Sequence, residues 1–199
     1  MAAARGARAP LRILSSAHLA EGDWGELSEF EFGLIVAAHA FDRWAVRCMA
    51  AAGMPDLTIT DVLVLHHVHH RGKGKKLADI CFTLNYEDSH VVAYALRKLA
   101  ALGLVRGEKV GKEVFHSTTP AGAALVVRYR EVRERCLIAS VPDRLNADPA
   151  SSPAEPTGGD ARGARDARED GRAELAKLAR ALRTLSGLYD QAARAAASL

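Results

Sequence analysis

The sequence lacks the patterns that would place the chain in a membrane or in an oxidising compartment. It contains no run of about 18 apolar residues, which is the length that a membrane-spanning helix requires. Its N-terminus has arginines but not the apolar core of a secretion signal. The three cysteines are widely spaced and form no CxxC pair, which indicates buried thiols rather than a disulfide framework. These absences predict a cytoplasmic protein with no membrane segment.

Catalytic patterns are missing in the same way. Residues 72–76 read GKGKK, but they lack the spacing of a phosphate-binding P-loop and the strand that would precede it. No nucleophile is placed beside a base, and the acid and histidine pairs lie on helices that already have a packing role. The chain is therefore predicted not to be an enzyme and to need no cofactor.

The composition is rich in alanine and leucine and is typical of a mainly helical protein. Apolar residues make up 49% of the 199 positions, and aromatic residues only 6%. Charge is unevenly placed, because residues 71–116 contain nine basic and five acidic residues in a chain whose net charge is +3. Such a basic patch is expected for a nucleic-acid-binding face, although a solvated surface with no partner has the same charge.

Two short helices joined by a tight turn are predicted within this basic region. Residues 75–84 place apolar side chains on one helical face, and Asn85 ends that helix. A second helix continues to Gly103, where glycine favours a left-handed cap. The apolar stripes consist of Leu77, Ile80, Cys81 and Leu84 in the first helix, and of Val92, Ala95, Leu96, Leu99 and Leu102 in the second.

A basic β-hairpin is predicted directly after the second helix. Residues 104–106 and 114–117 have the composition of strands and flank a turn-rich, basic tip at residues 107–112. Two tightly joined helices that lead into such a hairpin describe a winged helix-turn-helix, at about residues 60–119. The fold is therefore predicted to be mainly α with a small β-wing.

The second helix of this unit is predicted to be the recognition helix of a protein that binds double-stranded DNA. Its outer face presents Ser89, His90 and Tyr94, and the first two lie at the helix start, where side chains reach base edges. Basic residues nearby are placed for phosphates, which give affinity but no sequence information. These phosphate candidates are Lys75, Lys76, Arg97, Lys98, Arg106, Lys109 and Lys112. The acids Glu87 and Asp88 at the helix start favour its dipole but fit poorly beside phosphates.

The helices that flank the winged unit carry apolar residues at alternating spacings of three and four, a heptad seam. An unpaired apolar stripe would be an exposed patch of the kind that monomers avoid, so the N- and C-terminal helices are predicted to form a two-fold homodimer. A single buried amphipathic helix would show the same pattern over so few turns. The residues assigned to the dimer interface are Phe30, Leu34, Phe41, Leu175, Leu178, Leu182, Leu185 and Tyr189.

Changes in composition predict the domain boundaries. Residues 1–27 are expected to be a mostly disordered tail, and residues 28–140 the main domain, whose first helix starts at a Ser28 cap. The next helix is expected to start at a Thr60 cap. Residues 141–170 are rich in proline, glycine and mixed charge, which predicts a flexible linker to a last helix at 171–199.

This order of elements resembles the MarR family of bacterial transcription regulators, over about residues 29–199 apart from the linker. The most specific parts are LADI at residues 77–80 and the run 92–105, which ends in LAALGLV. Residues 118–122, TTPAG, also match the usual start of the family's fifth helix. The resemblance implies a homodimer that reads a pseudo-palindromic operator, and a small aromatic effector. The short wing departs from the family because it lacks the common Asp-x-Arg pattern.

Four histidines crowd the short helix before the winged unit. His66 and His70 lie four residues apart and are the candidates for a shared metal, but no cysteine or carboxylate lies within a turn on the same face. A polar helix end has the same sequence, so no metal site is predicted. Two alternatives stay open. The chain could be a metal sensor, or a MarR-like dimer that acts as a protein-interaction module with weak DNA binding.

Overall fold

The computed structural model describes residues 25–140 and 161–197, which are mainly helical with one two-stranded sheet. The elements in chain order are α1 (Gly25–Ala51), α2 (Ile59–His69), α3 (Leu77–Leu84), α4 (Ser89–Ala101), β1 (Val105–Val110), β2 (Glu113–Thr118), α5 (Pro120–Cys136) and α6 (Ala161–Ala196), with short 3₁₀ turns at His70–Gly72 and Ile138–Ser140. The predicted mainly α fold with a β-wing is therefore confirmed. Most of the predicted N-terminal tail and residues 141–160 of the predicted linker lie outside the described residues.

The chain divides into two compact units, Met1–Val132 and Arg133–Leu199. The helix-turn-helix and its wing belong wholly to the first unit. Among the residues that the structure describes, no helix is long and apolar enough to cross a membrane.

The core of the first unit surrounds the helix-turn-helix. The largest fully buried side chains come from five helices: Met49, Leu65, Ile80, Leu99 and Leu125. Each such side chain stabilises the fold by about 1.5–3 kcal/mol when it leaves water. The predicted stripes of α3 and α4 supply this core, but Leu102 is 43% exposed. It caps the end of α4 and no longer follows the helical stripe.

Two predicted helix starts are wrong. The first helix begins at Gly25, so Ser28 lies inside it rather than at its cap. The second begins after Thr58, whose hydroxyl accepts a hydrogen bond from the Asp61 N–H while the Asp61 carboxylate accepts one from the Thr58 N–H. This reciprocal pair is a capping box. Thr60, the predicted cap, lies inside the helix instead.

The turn between α3 and α4 begins at Asn85, where the sequence predicts the end of α3. Asn85 ends α3 in the left-handed conformation, with φ of 56°, which asparagine tolerates better than most residues. The Asp88 side chain then caps α4 by accepting a hydrogen bond from the His90 N–H at 2.8 Å. Gly103 follows α4 with φ of 70°, as predicted for a left-handed glycine.

The wing is a hairpin whose register pairs Val105 with Thr118 and Val110 with Glu113. Gly111, at the tip, has φ of 63°, a conformation that costs glycine little. Lys75, just before α3, exchanges two backbone hydrogen bonds of 2.8 Å with His116 of β2. This bridge fixes the wing to the start of the helix-turn-helix.

The start of α5 is held against the end of the recognition helix. Pro120 is the first helical residue, as predicted. The Thr119 hydroxyl donates to the Gly103 carbonyl at 2.6 Å, and the Thr119 N–H donates to the Leu104 carbonyl at 3.0 Å. Gly122 lies so close to the Leu104 carbonyl that a side chain there would overlap it.

In the second unit, the last helix begins at Ala161. Residues 161–170 are therefore helical, and their assignment to the linker is wrong. The leucines of the predicted seam remain exposed, with Leu175 at 43%, Leu178 at 51% and Leu182 at 42%. The helix is thus amphipathic, and much of its apolar face is open.

Candidate nucleic-acid interface

The outer face of α4 is the centre of the candidate interface. Val92, Leu96 and Leu99 are buried against the core, so the opposite face of the helix is turned outward. Ser89, His90, Tyr94 and Arg97 are all exposed on that face. The predicted base-reading residues are therefore brought together on one accessible surface.

Tyr94 and Arg97 form a pair on this surface. Tyr94 is 65% exposed, and the guanidinium carbon of Arg97 lies 6.0 Å from the centre of its ring. That distance is at the outer limit of a cation–π contact. The pair places a planar aromatic group and a planar cation side by side, and both can contact a base or a phosphate.

The acids at the start of α4 have a local role. The Asp88 carboxylate caps the helix through the His90 N–H, which removes one unsatisfied donor. Glu87, in contrast, is simply exposed. The acidic start therefore follows in part from helix capping and does not by itself argue against DNA binding.

The cations at the start of α3 are tied to the wing. Lys76 places its ammonium 3.5 Å from the Glu113 carboxylate and 5.4 Å from the centre of the Phe115 ring. Both Lys76 and Glu113 are substantially exposed, so the pair is worth at most about 1 kcal/mol. Lys75 contributes its backbone to the bridge with His116. These lysines lie beside the wing, at the edge of the surface that α4 presents.

Three predicted phosphate contacts, Arg106, Lys109 and Lys112, are exposed on the wing. Arg106 is oriented by its partner across the hairpin, since its Nε donates to the Ser117 hydroxyl at 3.3 Å. Successive strand residues point to opposite faces, so Arg106 and Lys109 project from opposite faces of β1. Lys112 lies at the tip between the two strands, where this alternation does not apply. The three cations therefore cannot all approach one phosphate strand from the same side.

A groove of about 630 Å³ separates α4 from the wing. Ala93, Leu96 and Arg97 of α4 line one side of it, and Val114 and His116 of β2 line the other. Partial burial lowers the pKa of His116 below its ordinary value. The groove thus lies between the recognition helix and the wing, beside Lys76 and Leu77 at the start of α3.

Lys98 does not face the predicted DNA surface. Its ammonium lies 2.7 Å from the Asp61 carboxylate and 2.7 Å from the Asp56 carbonyl oxygen. Asp61 is only 2% exposed. The predicted phosphate contact is therefore corrected: Lys98 is a structural cation that joins α4 to the start of α2.

Three interface features were missed from the sequence. Asp61 pairs with Lys98 across 37 residues, which no local pattern shows, although the Thr58-x-x-Asp61 capping box was present. Tyr86, in the turn before α4, hydrogen-bonds the Thr60 hydroxyl at 3.0 Å. Phe82 of α3 is 89% exposed, and a local apolar count does not distinguish it from a core residue.

The histidines of α2 are not brought together as a metal site. The His66 ring is packed edge-on against Tyr129 at 4.4 Å, while His70 is exposed. His69 hydrogen-bonds the Thr118 hydroxyl at 3.2 Å and so braces the wing. Among the described residues, no three histidine, cysteine or acidic side chains cluster closely enough to hold a metal.

Residues 57–122 match the family described as the winged helix DNA-binding domain. The match covers α2, the helix-turn-helix, the wing and the first turn of α5, which are the elements of the candidate interface. It agrees with the predicted non-enzymatic, DNA-binding class. No curated protein has a significant sequence match to this chain.

Several solved structures share the fold at low sequence identity. The crystal structure of MarR is 19% identical, with a TM-score of 0.54 over 77% of this chain and 98% of that one. RV1404 from Mycobacterium tuberculosis is 18% identical, with a TM-score of 0.51 over 75% and 95%. MepR, a transcription regulator of the Staphylococcus aureus multidrug efflux pump MepA, is 16% identical, with a TM-score of 0.50 over 77% and 98%. The chain therefore carries a winged helix DNA-binding domain within the MarR fold, and its structural neighbours are MarR-type regulators.

Proposed function

We propose that this protein is a transcription regulator that binds a pseudo-palindromic DNA operator as a homodimer. The observation that carries the proposal is the exposed face of α4, where Ser89, His90, Tyr94 and Arg97 stand together on a winged helix domain. In such domains the recognition helix enters the major groove, and its first residues contact base edges.

The charges around α4 support a duplex as the ligand. Arg97 is exposed on α4 itself, and Arg106, Lys109 and Lys112 are exposed on the wing. Cations in these positions neutralise phosphates on either side of the groove that α4 enters. The cytoplasm is part of the same proposal, because the operator lies there and the chain's cysteines are thiols.

The dimer is supported by exposed apolar side chains on both flanking helices. On α1, Ile35 is 55% exposed and Phe41 51%, and the α6 leucines are similarly open. Of the predicted interface residues on α1, Phe30 and Leu34 are half-buried. On α6, Leu185 is half-buried and Tyr189 is 36% exposed. A second copy would cover these surfaces, and a two-fold axis would set two recognition helices about 34–36 Å apart, one turn of B-DNA.

A small aromatic acid as effector rests on the resemblance to MarR proteins. Asp61, at the start of α2, is buried and paired with Lys98 and is therefore not available to such an effector. Trp44 is half-buried, and Arg43 and His39 are exposed on α1. We therefore assign the proposed effector contacts to these three side chains of α1.

The salt dependence of DNA binding tests the regulator proposal. Each phosphate that the protein neutralises should contribute about −0.9 to the slope of log K against log salt. The variant Lys109→Ala/Lys112→Ala should weaken binding to all duplexes alike and flatten the slope, whereas Lys177→Ala on α6 should change neither. If the protein ignores duplex DNA from its own promoter even at low salt, the regulator proposal fails. A protein-interaction module then replaces it.

Light scattering on the full chain tests the dimer. Leu178→Glu/Leu182→Glu places two charges on the exposed α6 seam and should convert the dimer to a monomer. The matched control Lys177→Glu alters an adjacent position that is already polar. Operator affinity should fall in the double variant, while affinity for a single half-site stays unchanged. A double variant that remains a dimer would show that α6 does not form the interface.

A further inference from the structure

Lys98 is a basic residue of the recognition helix whose side chain is paired with a buried carboxylate, that of Asp61. Its ammonium reaches the Asp61 carboxylate, which also accepts the Thr58 N–H at 2.8 Å and the Thr58 hydroxyl at 2.9 Å. The ammonium also donates to the Asp56 carbonyl at 2.7 Å. These hydrogen bonds connect Lys98 of α4 to the start of α2 and to the residues just before it.

A second polar contact holds the other end of the recognition helix. Tyr86 shortly precedes the α4 cap, and its hydroxyl lies 3.0 Å from the Thr60 hydroxyl. Thr60 belongs to the same first turn of α2 as Asp61. The segment 58–61, which we name the α2 seat, therefore contacts Lys98 in the last turn of α4 and Tyr86 in the turn before α4.

Packing between these two contacts is incomplete. A cleft of about 390 Å³ lies between the α2 seat and the first half of α4, lined by Thr58 and Thr60 on one side and by Val91, Tyr94 and Ala95 on the other. The core face of α4, with Val92, Leu96 and Leu99 buried, holds the helix in the domain. On the side of the cleft, where packing is open, the contacts of Lys98 and Tyr86 with the α2 seat add to that restraint on the base-reading half of α4.

We propose that Lys98, acting through Asp61, is a positioning residue that sets the angle of the recognition helix and thereby its sequence specificity. The proposal rests on the proposed DNA-binding function. Hydrogen bonds to base edges need donor–acceptor distances of about 2.7–3.2 Å, so a small tilt of α4 removes them. The lysines on the wing have long, flexible side chains, so they keep their phosphate contacts when α4 tilts by the same amount.

The preference for a specific duplex over an unrelated one is therefore a measurement that a loss of folding stability alone does not change. Loss of a phosphate contact weakens binding to every duplex equally, because phosphates carry no sequence information. Misplacement of α4 instead lowers the preference for the specific duplex and leaves non-specific binding intact. The ratio of the two affinities thus separates positioning from charge.

The deciding variant is Lys98→Met/Asp61→Asn. It removes both charges together, because Lys98→Met alone would leave a buried carboxylate without its cation, which is strongly destabilising. The introduced asparagine side chain would retain an acceptor for the Thr58 N–H. The control Lys112→Met removes one exposed cation at the wing tip. Binding is measured by fluorescence anisotropy over a salt series, with a duplex that the wild-type chain selects from a random library and with an unrelated duplex.

The double variant should lower the preference for the selected duplex by about tenfold or more, since each lost base contact is worth a similar factor. Its salt slope on the unrelated duplex should match the wild type. Lys112→Met should weaken both duplexes equally and flatten the slope by about 0.9. A double variant with unchanged preference would overturn the proposal, whether or not its melting temperature falls. A salt slope of the double variant on the unrelated duplex that is flattened by about 0.9, the value of one phosphate contact, would overturn it as well. A wild-type chain that selects no duplex would overturn the proposed function, and this inference with it.

Discussion

Replacement of Gly122 by alanine tests the junction that joins α5 to the end of the recognition helix. A Cβ atom at residue 122 would overlap the carbonyl oxygen of Leu104 and lie 2.9 Å from its carbonyl carbon. Both are backbone atoms, so no side-chain rotation relieves the overlap. The first turn of α5 would have to move away from the segment between α4 and β1.

The size of the effect follows from what that movement breaks. Thr119 makes two hydrogen bonds to this segment, to the carbonyls of Gly103 and Leu104, and each contributes about 0.5–1.5 kcal/mol. Overpacking costs about 1–3 kcal/mol, while the higher helix propensity of alanine returns about 1 kcal/mol. The net destabilisation should be about 1–5 kcal/mol. For a chain of this size, that loss lowers the melting temperature by roughly 2–20 °C.

Gly33→Ala is the matched control. Gly33 also lies inside a helix, but a Cβ there would meet no heavy atom within 4 Å. It should therefore leave stability unchanged or raise it by up to about 1 kcal/mol. Urea denaturation followed by circular dichroism measures both variants. If Gly122→Ala is as stable as the wild type, α5 does not pack on Leu104 as described, and the argument for this junction fails.

Three further predictions follow from the candidate interface and the histidine helix. Tyr94→Ala should change which sequences the protein selects from a random library, with little effect on the salt slope; an unchanged selection would remove Tyr94 from base reading. The purified protein should hold far less than one zinc per chain, and His66→Ala/His70→Ala should bind duplex DNA like the wild type with or without chelator; a stoichiometric metal signal would contradict this. Burial, and to a smaller extent the nearby His69, lower the pKa of His66. The unfolded chain therefore binds the proton more tightly than the folded chain does. Stability that is present above the ordinary pKa of about 6.5 should be lost as the pH falls below it. Denaturation at pH 7.5 and 5.5 should show a smaller loss for His66→Gln than for the wild type, while an equal loss would assign the effect to other groups.

Local patterns predicted the helix-turn-helix well because its signals lie within a few residues of one another. The apolar stripe of α4, the end of α3 at Asn85 and the left-handed Gly103 each depend on signals within about one turn. The wing was predictable for the same reason, since a glycine tip between two strand-like runs defines a hairpin. Short-range signals of this kind survive in the fold because the core reinforces them.

The errors arise where distant residues or weak signals decide. Lys98 looked like a free cation because its partner, Asp61, is 37 positions away in the chain. Residues 161–170 looked like a linker because they lack apolar side chains larger than alanine and follow a glycine pair. Their arginines, alanines and glutamate are nevertheless good helix formers, and they extend α6 to Ala161. Thr60 and Ser28 looked like caps because any serine or threonine before an apolar run fits that role.

Two of the lysines predicted to contact phosphates are paired with carboxylates, which limits the cations available for DNA binding. Lys98 is committed to Asp61, and Lys76 shares its charge with Glu113. Of the predicted phosphate contacts, those without a carboxylate partner in the described interface are Lys75 before α3, Arg97 on α4, and Arg106, Lys109 and Lys112 on the wing. Arg106 and Lys109 project from opposite faces of β1. One winged unit can therefore neutralise only a few phosphates, and each contributes about −0.9 to the salt slope. Two units on one symmetric operator double both the contacts and the slope, so a slope about twice that measured on a single half-site would indicate two recognition helices on the DNA.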